Sequence, residues 1–167
     1  MKRIISLTLA AALLTVLLCS CGAPSGNGQE KQIDLAAFAQ TLQEDHEFPR
    51  LERNDPADEL GAAMLENAYP GLKDMDLEQA EIYLAAISFS GGELALIQAK
   101  STGDAARVKE IFDARVAAKT TDGPGNYPEE IELWQHNSAV VSNGGYVMLV
   151  NHEDSEAIVR EFNDLFK

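Results

Sequence analysis

Cysteine is almost missing from this 167-residue chain: there are two, Cys19 and Cys21, and none beyond. Residues 22–167 therefore have no thiol to form a disulfide, act as a nucleophile or ligate zinc. Positive charge is scarce as well, with 13 Lys and Arg against 27 Asp and Glu. Lys2 and Arg3 lie in a segment expected to be removed, and without them 11 basic residues face 27 acidic ones, a net charge of −16. Such a surface repels phosphate backbones and anionic headgroups, which argues against nucleic-acid binding and against adsorption of the folded domain to a membrane. Histidine is limited to His46, His136 and His152, so neutral-pH bases and nitrogen ligands have three candidates. The N-terminal apolar run is also short. Residues 4–18, IISLTLAAALLTVLL, number fifteen, fewer than the roughly 20 needed to cross a bilayer. What is present suits a single globular domain: one domain's length with an appendage, and 46% hydrophobic residues, enough to build a core.

The charged start, the short apolar run and the small residues that follow read as a secretory signal, with a signal cut elsewhere or an uncleaved anchor as the alternatives. Leu18-Cys19-Ser20-Cys21-Gly22 resembles the bacterial lipoprotein box, which ends an aliphatic-to-small pattern on a Cys. Cys21 fits it. Cys19 does not, because Leu18 before it is too large for the processing pocket. The resemblance implies cleavage before Cys21, diacylglycerol on its sulfur and residence on the extracytoplasmic face of the cell membrane. Two acyl chains suffice for stable anchoring where one is marginal. Residues 22–32, GAPSGNGQEKQ, lack large apolar side chains and read as a tether of about 20 Å. Its glycines form no phosphate loop, since no strand precedes them and no Lys-Ser/Thr closes them.

The domain then spans residues 33–167. Asp34 with Leu35, Phe38, Ala39 and Leu42 predicts an N-capped amphipathic helix. Asp55-Pro56 followed by Asp58 and Glu59 predicts a second, with Leu60, Ala63, Met64 and Ala68 buried and Tyr69-Pro70-Gly71 as its stop. Residues 76–89 carry both periods, and the reading is a helical turn followed by a strand over 82–89, because Ser90-Gly91-Gly92 signals a hairpin into a strand over 93–99. A helix from Asp104 would bury Val108, Ile111, Phe112 and Val116, and a short helix from Pro128 would run through Trp134. Asn143-Gly144-Gly145 joins strands over 139–142 and 146–150, and a last helix near Asp154 would bury Ile158, Phe162, Leu165 and Phe166. The expected fold class is α+β: an antiparallel sheet of two hairpins with packed helices, β-β-α twice, preceded by two N-terminal helices. Ala106, Val108, Lys109 and Glu110 match Ala157, Val159, Arg160 and Glu161, a faint sign of duplication. Both hairpins are apolar on both faces, so the helices after the hairpins are expected on one face and the N-terminal pair, through Phe38, Leu42, Leu60 and Met64, on the other.

YLAAISF, ELALIQAK before an acidic helix, and YPEEIELWQHNSAVVSNGGYVMLV before a terminal helix resemble, in order and spacing, the bacterial lipoproteins grouped as domain of unknown function 4358. The resemblance covers residues 69–166 and leaves 33–68 largely outside. It implies fold and location and transfers no active-site residue.

No chemical constellation stands out. The histidines lack zincin spacing. His152 with Glu153 and Asp154 would ligate a metal only if His136 converged on it, and the competing reading is of solvated loop histidines. Asp55, Asp58, Glu59 and Glu66 fail the calcium-loop pattern, with Ala57 at the third position and Leu60 at the sixth, so they read as helix caps. Ser138 and Ser142 lack the context of a nucleophile. Tyr127, Trp134 and Tyr146 either line a groove or pack in the core. The functional expectation is a non-enzymatic binding or scaffolding lipoprotein. Its anchor is the membrane through Cys21, its partner an unidentified envelope protein or glycan, and it needs no cofactor or metal. A hydrolase using carboxylate or His residues is the alternative.

Overall fold

The computed structural model describes residues 32–86, 92–121 and 127–167. The signal, lipobox and tether readings, most of the Ser90-Gly91-Gly92 turn with residues 87–89, and most of the 121–126 loop lie outside these residues. Lys31–Lys167 forms one compact unit.

Five strands, β1 (Leu51–Arg53), β2 (Leu77–Ala85), β3 (Glu93–Ala99), β4 (Ser138–Asn143) and β5 (Tyr146–Asn151), form one antiparallel sheet in the order β1-β2-β3-β5-β4. Among the described residues five α-helices accompany it: α1 (Leu35–Asp45), α2 (Glu59–Ala68), α3 (Thr102–Lys119), α4 (Pro128–Asn137) and α5 (Ser155–Asp164). The class is α+β, as expected. The central strands β3 and β5 are apolar on both faces because helices cover both. Ala95, Ile97, Val147 and Leu149 point into a core with α2, α3 and α4, whereas Leu94, Leu96, Met148 and Val150 point into one with α1 and α5.

This distribution corrects the expected layering. The helices that follow the hairpins, α3 and α5, lie on opposite faces, and so do the N-terminal pair. Two side-by-side antiparallel hairpins related by duplication share a two-fold axis normal to the sheet, which would place α3 and α5 on one face, so the faint repeat is not a structural one. Phe38 and Leu42 pack as anticipated, but Leu60 is 73% exposed and Met64 48% exposed. The reason is where α2 begins. Asp55 accepts from the Ala57 amide and starts a turn instead of capping the helix, and Asp58 is the cap, accepting from Gly61 N–H at 3.0 Å. The buried stripe is thereby Gly61, Leu65 and Ala68. Gly61 is required there, because a Cβ would stand 2.3 Å from the Asp55 carbonyl oxygen.

β2 begins at Leu77, so the helical turn expected before residue 82 is strand. A register shift between Leu77 and Gln79 adds one residue to the strand. Beyond the bulge Ala80 and Leu84 pack in the same core as Leu77, and spacings of three and four residues imitate a helix. Gln79, on the other face, pins the N-terminal segment: it accepts from Leu35 N–H at 3.0 Å and donates to the Ile33 carbonyl at 2.7 Å. β1 was not expected. Three residues long, it pairs Leu51 with Ala85 and Arg53 with Tyr83, and Arg53 forks onto Glu81 at 2.8 and 2.9 Å. The β4–β5 hairpin turns on Gly144-Gly145, with Gly144 at φ 56°, where an L side chain is strained. Leu165 and Phe166 pack at the edge of their core and are only half-buried.

Candidate functional site

On the α2/α3/α4 face the buried stripe of α3 continues from Ala105, Val108 and Phe112 to Arg115 and Lys119, the next positions at helical spacing. Two cations are thus turned inward at the C-terminal end of the helix, where the macrodipole favours positive charge. Each meets a buried acid. Glu93, the first residue of β3, is 3% exposed, and Glu130, in the first turn of α4, is 2% exposed. Arg115 donates from Nε and Nη2 to the two Glu93 oxygens at 3.1 and 2.8 Å, and Lys119 Nζ donates to Glu130 Oε1 at 2.6 Å. Tyr69, at the C-cap of α2 and fully buried, donates its hydroxyl to Glu93 Oε1. The guanidinium also lies 5.8 Å from the Tyr69 ring centroid and 5.4 Å from that of Trp134, within cation–π range.

Glu93, Arg115, Lys119 and Glu130 border a cleft of about 220 Å³, walled by Met64, Ala68, Leu84, Ala85 and Trp134, with Tyr69 buried behind Glu93. Burial and the neighbouring Glu93 carboxylate push the Tyr69 hydroxyl well above its ordinary range, so it stays a neutral donor. Burial alone would lower the Arg115 pKa, but the Glu93 charge and hydrogen bonds outweigh it, and the guanidinium stays charged. Every charge is met by a partner within the site. The cleft therefore offers apolar walls with a fixed, internally paired polar strip, which suits insertion of a ligand group more than proton transfer. Sequence reasoning missed all of Glu93, Arg115, Lys119 and Tyr69. The available signal was the inward spacing of Arg115 and Lys119 after Phe112.

The residues singled out from sequence are distributed as follows. Trp134 and Tyr146 are buried in different cores, and Tyr127 is 56% exposed, so the three share no groove. Tyr146 instead accepts from Ile33 N–H at 3.2 Å through its hydroxyl oxygen. Asp58 caps α2 as the capping reading holds, whereas Asp55 serves a turn and Glu66 pairs with Lys73 at 3.0 Å. Ser138 donates to the Trp134 carbonyl at 2.6 Å, and Ser142 is exposed. His136 is exposed in the last turn of α4 and is not in the group of potential metal ligands that holds His152. His46 is. It is the C-cap of α1, and its ring lies between Asp154 and Glu161, with Nδ1 3.2 Å from Asp154 Oδ2 and Nε2 3.1 Å from Glu161 Oε1. Burial lowers the His46 pKa, but hydrogen bonds and charge from both carboxylates outweigh it and leave it raised. His152 is 6% exposed, packs on Phe48 at 4.3 Å between ring centroids, and accepts from the Asp154 amide at 3.0 Å through Nδ1. The histidines at 46 and 152 are therefore not solvated loop residues.

No curated protein and no solved structure matches the chain. A family model matches residues 52–152, starting at β1 instead of at Tyr69 and stopping before α5. The whole Glu93–Arg115–Lys119–Glu130 cleft and the buried Tyr69 lie within that span, whereas His46, Asp154 and Glu161 lie outside it. With more than half its length matched, the chain belongs to the family described as Domain of unknown function (DUF4358).

Proposed function

We propose that this chain is an exported lipoprotein, held on the extracytoplasmic face of the cell membrane by lipid on Cys21, that binds an envelope protein through the cleft between α2 and the α3–α4 pair. The anchor rests on the sequence from Lys2 to Gly22. The binding reading rests on one observation: the cleft has apolar walls, the exposed Met64 at its mouth, and a floor carboxylate already held by three donors. A volume of about 220 Å³ accepts one large side chain of a partner and is below the usual range, about 300–1,000 Å³, of small-molecule sites. Leu60 on the same helix, 73% exposed, extends the apolar contact. Pairing of Glu93 and Glu130 with cations favours binding over the hydrolase alternative, since a general acid or base has to be free to exchange its proton.

The test combines two variants. Cys21→Ala is expected to leave an unprocessed precursor without lipid, and cleavage and acylation as in the wild type would refute the anchor. Met64→Asp, folded and lipidated, is expected to lose an envelope protein that co-purifies with the wild type after crosslinking. Retention of the same partner would refute the cleft.

A further inference from the structure

The second cluster brings together groups from segments more than 100 residues apart. α1 ends at His46, whose backbone is extended at φ −119° and ψ 139°. Its ring enters the space beside the β5–α5 junction, where His152 and Asp154 sit. One donor atom from each of His46, His152 and Asp154 lies within 4.8 Å of the others. The geometry around His46 is that of a metal-binding imidazole with its orienting partner. Glu161 Oε1 lies 3.1 Å from Nε2, and if Nε2–H donates to it, the lone pair of Nδ1 is left facing Asp154 Oδ2 at 3.2 Å. Two lone pairs at that distance repel unless a proton or a metal ion stands between them, so the space between Nδ1 and Asp154 is a cation's place, and a carboxylate that fixes the outer nitrogen is the usual support of a metal-ligating histidine.

We propose that His46, His152 and Asp154 bind a divalent transition-metal ion of the zinc class. Two imidazoles and a carboxylate suit zinc, whereas calcium and magnesium call for oxygen donors throughout. Donors at about 2.1 Å from a tetrahedral ion are about 3.4 Å apart, so closing the widest pair takes a shift of about 0.7 Å by each side chain. The carbonyl end of α1 points its negative dipole toward the site. Asp154, 57% exposed in its side chain, leaves a path for entry and a fourth position for water. His152 gives up its bond from the Asp154 amide on ligation, because Nδ1 either binds the ion or takes the proton that frees Nε2 to bind it, which sets the affinity below that of a preformed structural site. The bound ion would clamp α1 to α5, and the sequence-based expectation of a metal-free domain would be replaced.

The test uses the full chain in detergent, stripped by a chelator and titrated with zinc, and with cobalt(II) as a spectroscopic probe. The expected result is one zinc per chain, a rise of several degrees in melting temperature, and tetrahedral cobalt absorption that zinc abolishes. His46→Gln and Asp154→Asn should each weaken zinc binding at least tenfold, Glu161→Gln should weaken it roughly tenfold or more, and His136→Ala should leave it unchanged. Asp154 and Glu161 are partly exposed, so their variants keep the test decisive even if His46→Gln does not fold. Failure to bind zinc, equal binding by Asp154→Asn and the wild type, or loss in His136→Ala would overturn the site.

Discussion

Replacing Arg115 by Met removes a cation from a position where its partner cannot reach water. The Glu93 side chain is 4% exposed and that of Arg115 17%, so the variant strands a carboxylate with the Tyr69 hydroxyl as its remaining donor from this network. Breaking a buried ion pair from one side costs about 3–5 kcal/mol, and the lost stacking over Tyr69 and Trp134 accounts for about 0.5–2 kcal/mol within that range. Urea unfolding at pH 7 should show the loss as a lower midpoint with unchanged slope. The double variant Glu93→Gln/Arg115→Met removes both charges, keeps the volume and leaves the Gln carbonyl to accept from Tyr69, so it should recover most of the deficit, since no unpaired charge stays buried. A single variant within about 1 kcal/mol of the wild type, the behaviour of an exposed pair, would refute the burial argument. So would a double variant no more stable than the single one.

Three further outcomes follow from the packing and the charges. Gly61→Ala should destabilise by about 1–3 kcal/mol, because its Cβ meets the Asp55 carbonyl, and thermal unfolding measures it. Leu65→Ala should lose about 2–5 kcal/mol, whereas Leu60→Ala should change stability by no more than about 0.5 kcal/mol; the opposite order would restore the buried stripe expected from sequence. Glu81 is held below the usual carboxylate range by hydrogen bonds from Arg53, which prevail over burial, with the Tyr83 hydroxyl assisting. A depressed folded-state pKa adds stability that is present above the unfolded value of about 4.3 and lost as pH falls through the folded value. Glu81→Gln should therefore be less stable than the wild type at pH 7, with the gap closing below about pH 4.

The parts of the fold legible in the sequence are those whose signal is local. Asp34 and Leu35 mark α1, Pro128 marks α4, and Asn143-Gly144-Gly145 marks a hairpin, because caps and turns depend on a few adjacent residues. Leu77, Ala80 and Leu84 misled, since a bulge gives a strand the spacing of a helix. Asp55-Pro56 misled because an Asp serves a turn as readily as a cap, and Gly61 chose between the two only through its contact with the Asp55 carbonyl. β1 is too short to carry a period of its own. The sites were less legible. Arg115 and Lys119 lie on the stripe of α3, but a charged residue reads as solvated until Glu93 and Glu130 are seen beneath it. His46 meets His152 only because α1 and α5 cover the same face of the sheet, which no local pattern announces.

The proposal that the cleft beside α2 binds an envelope protein has one direct test. A photo-crosslinking residue at position 64 in cells, compared with one at position 160 on exposed α5, where the Arg160 side chain is 70% exposed, tests it most directly. The account predicts one discrete adduct from position 64 that is absent from position 160. No adduct from position 64, or the same adduct from both, would contradict it.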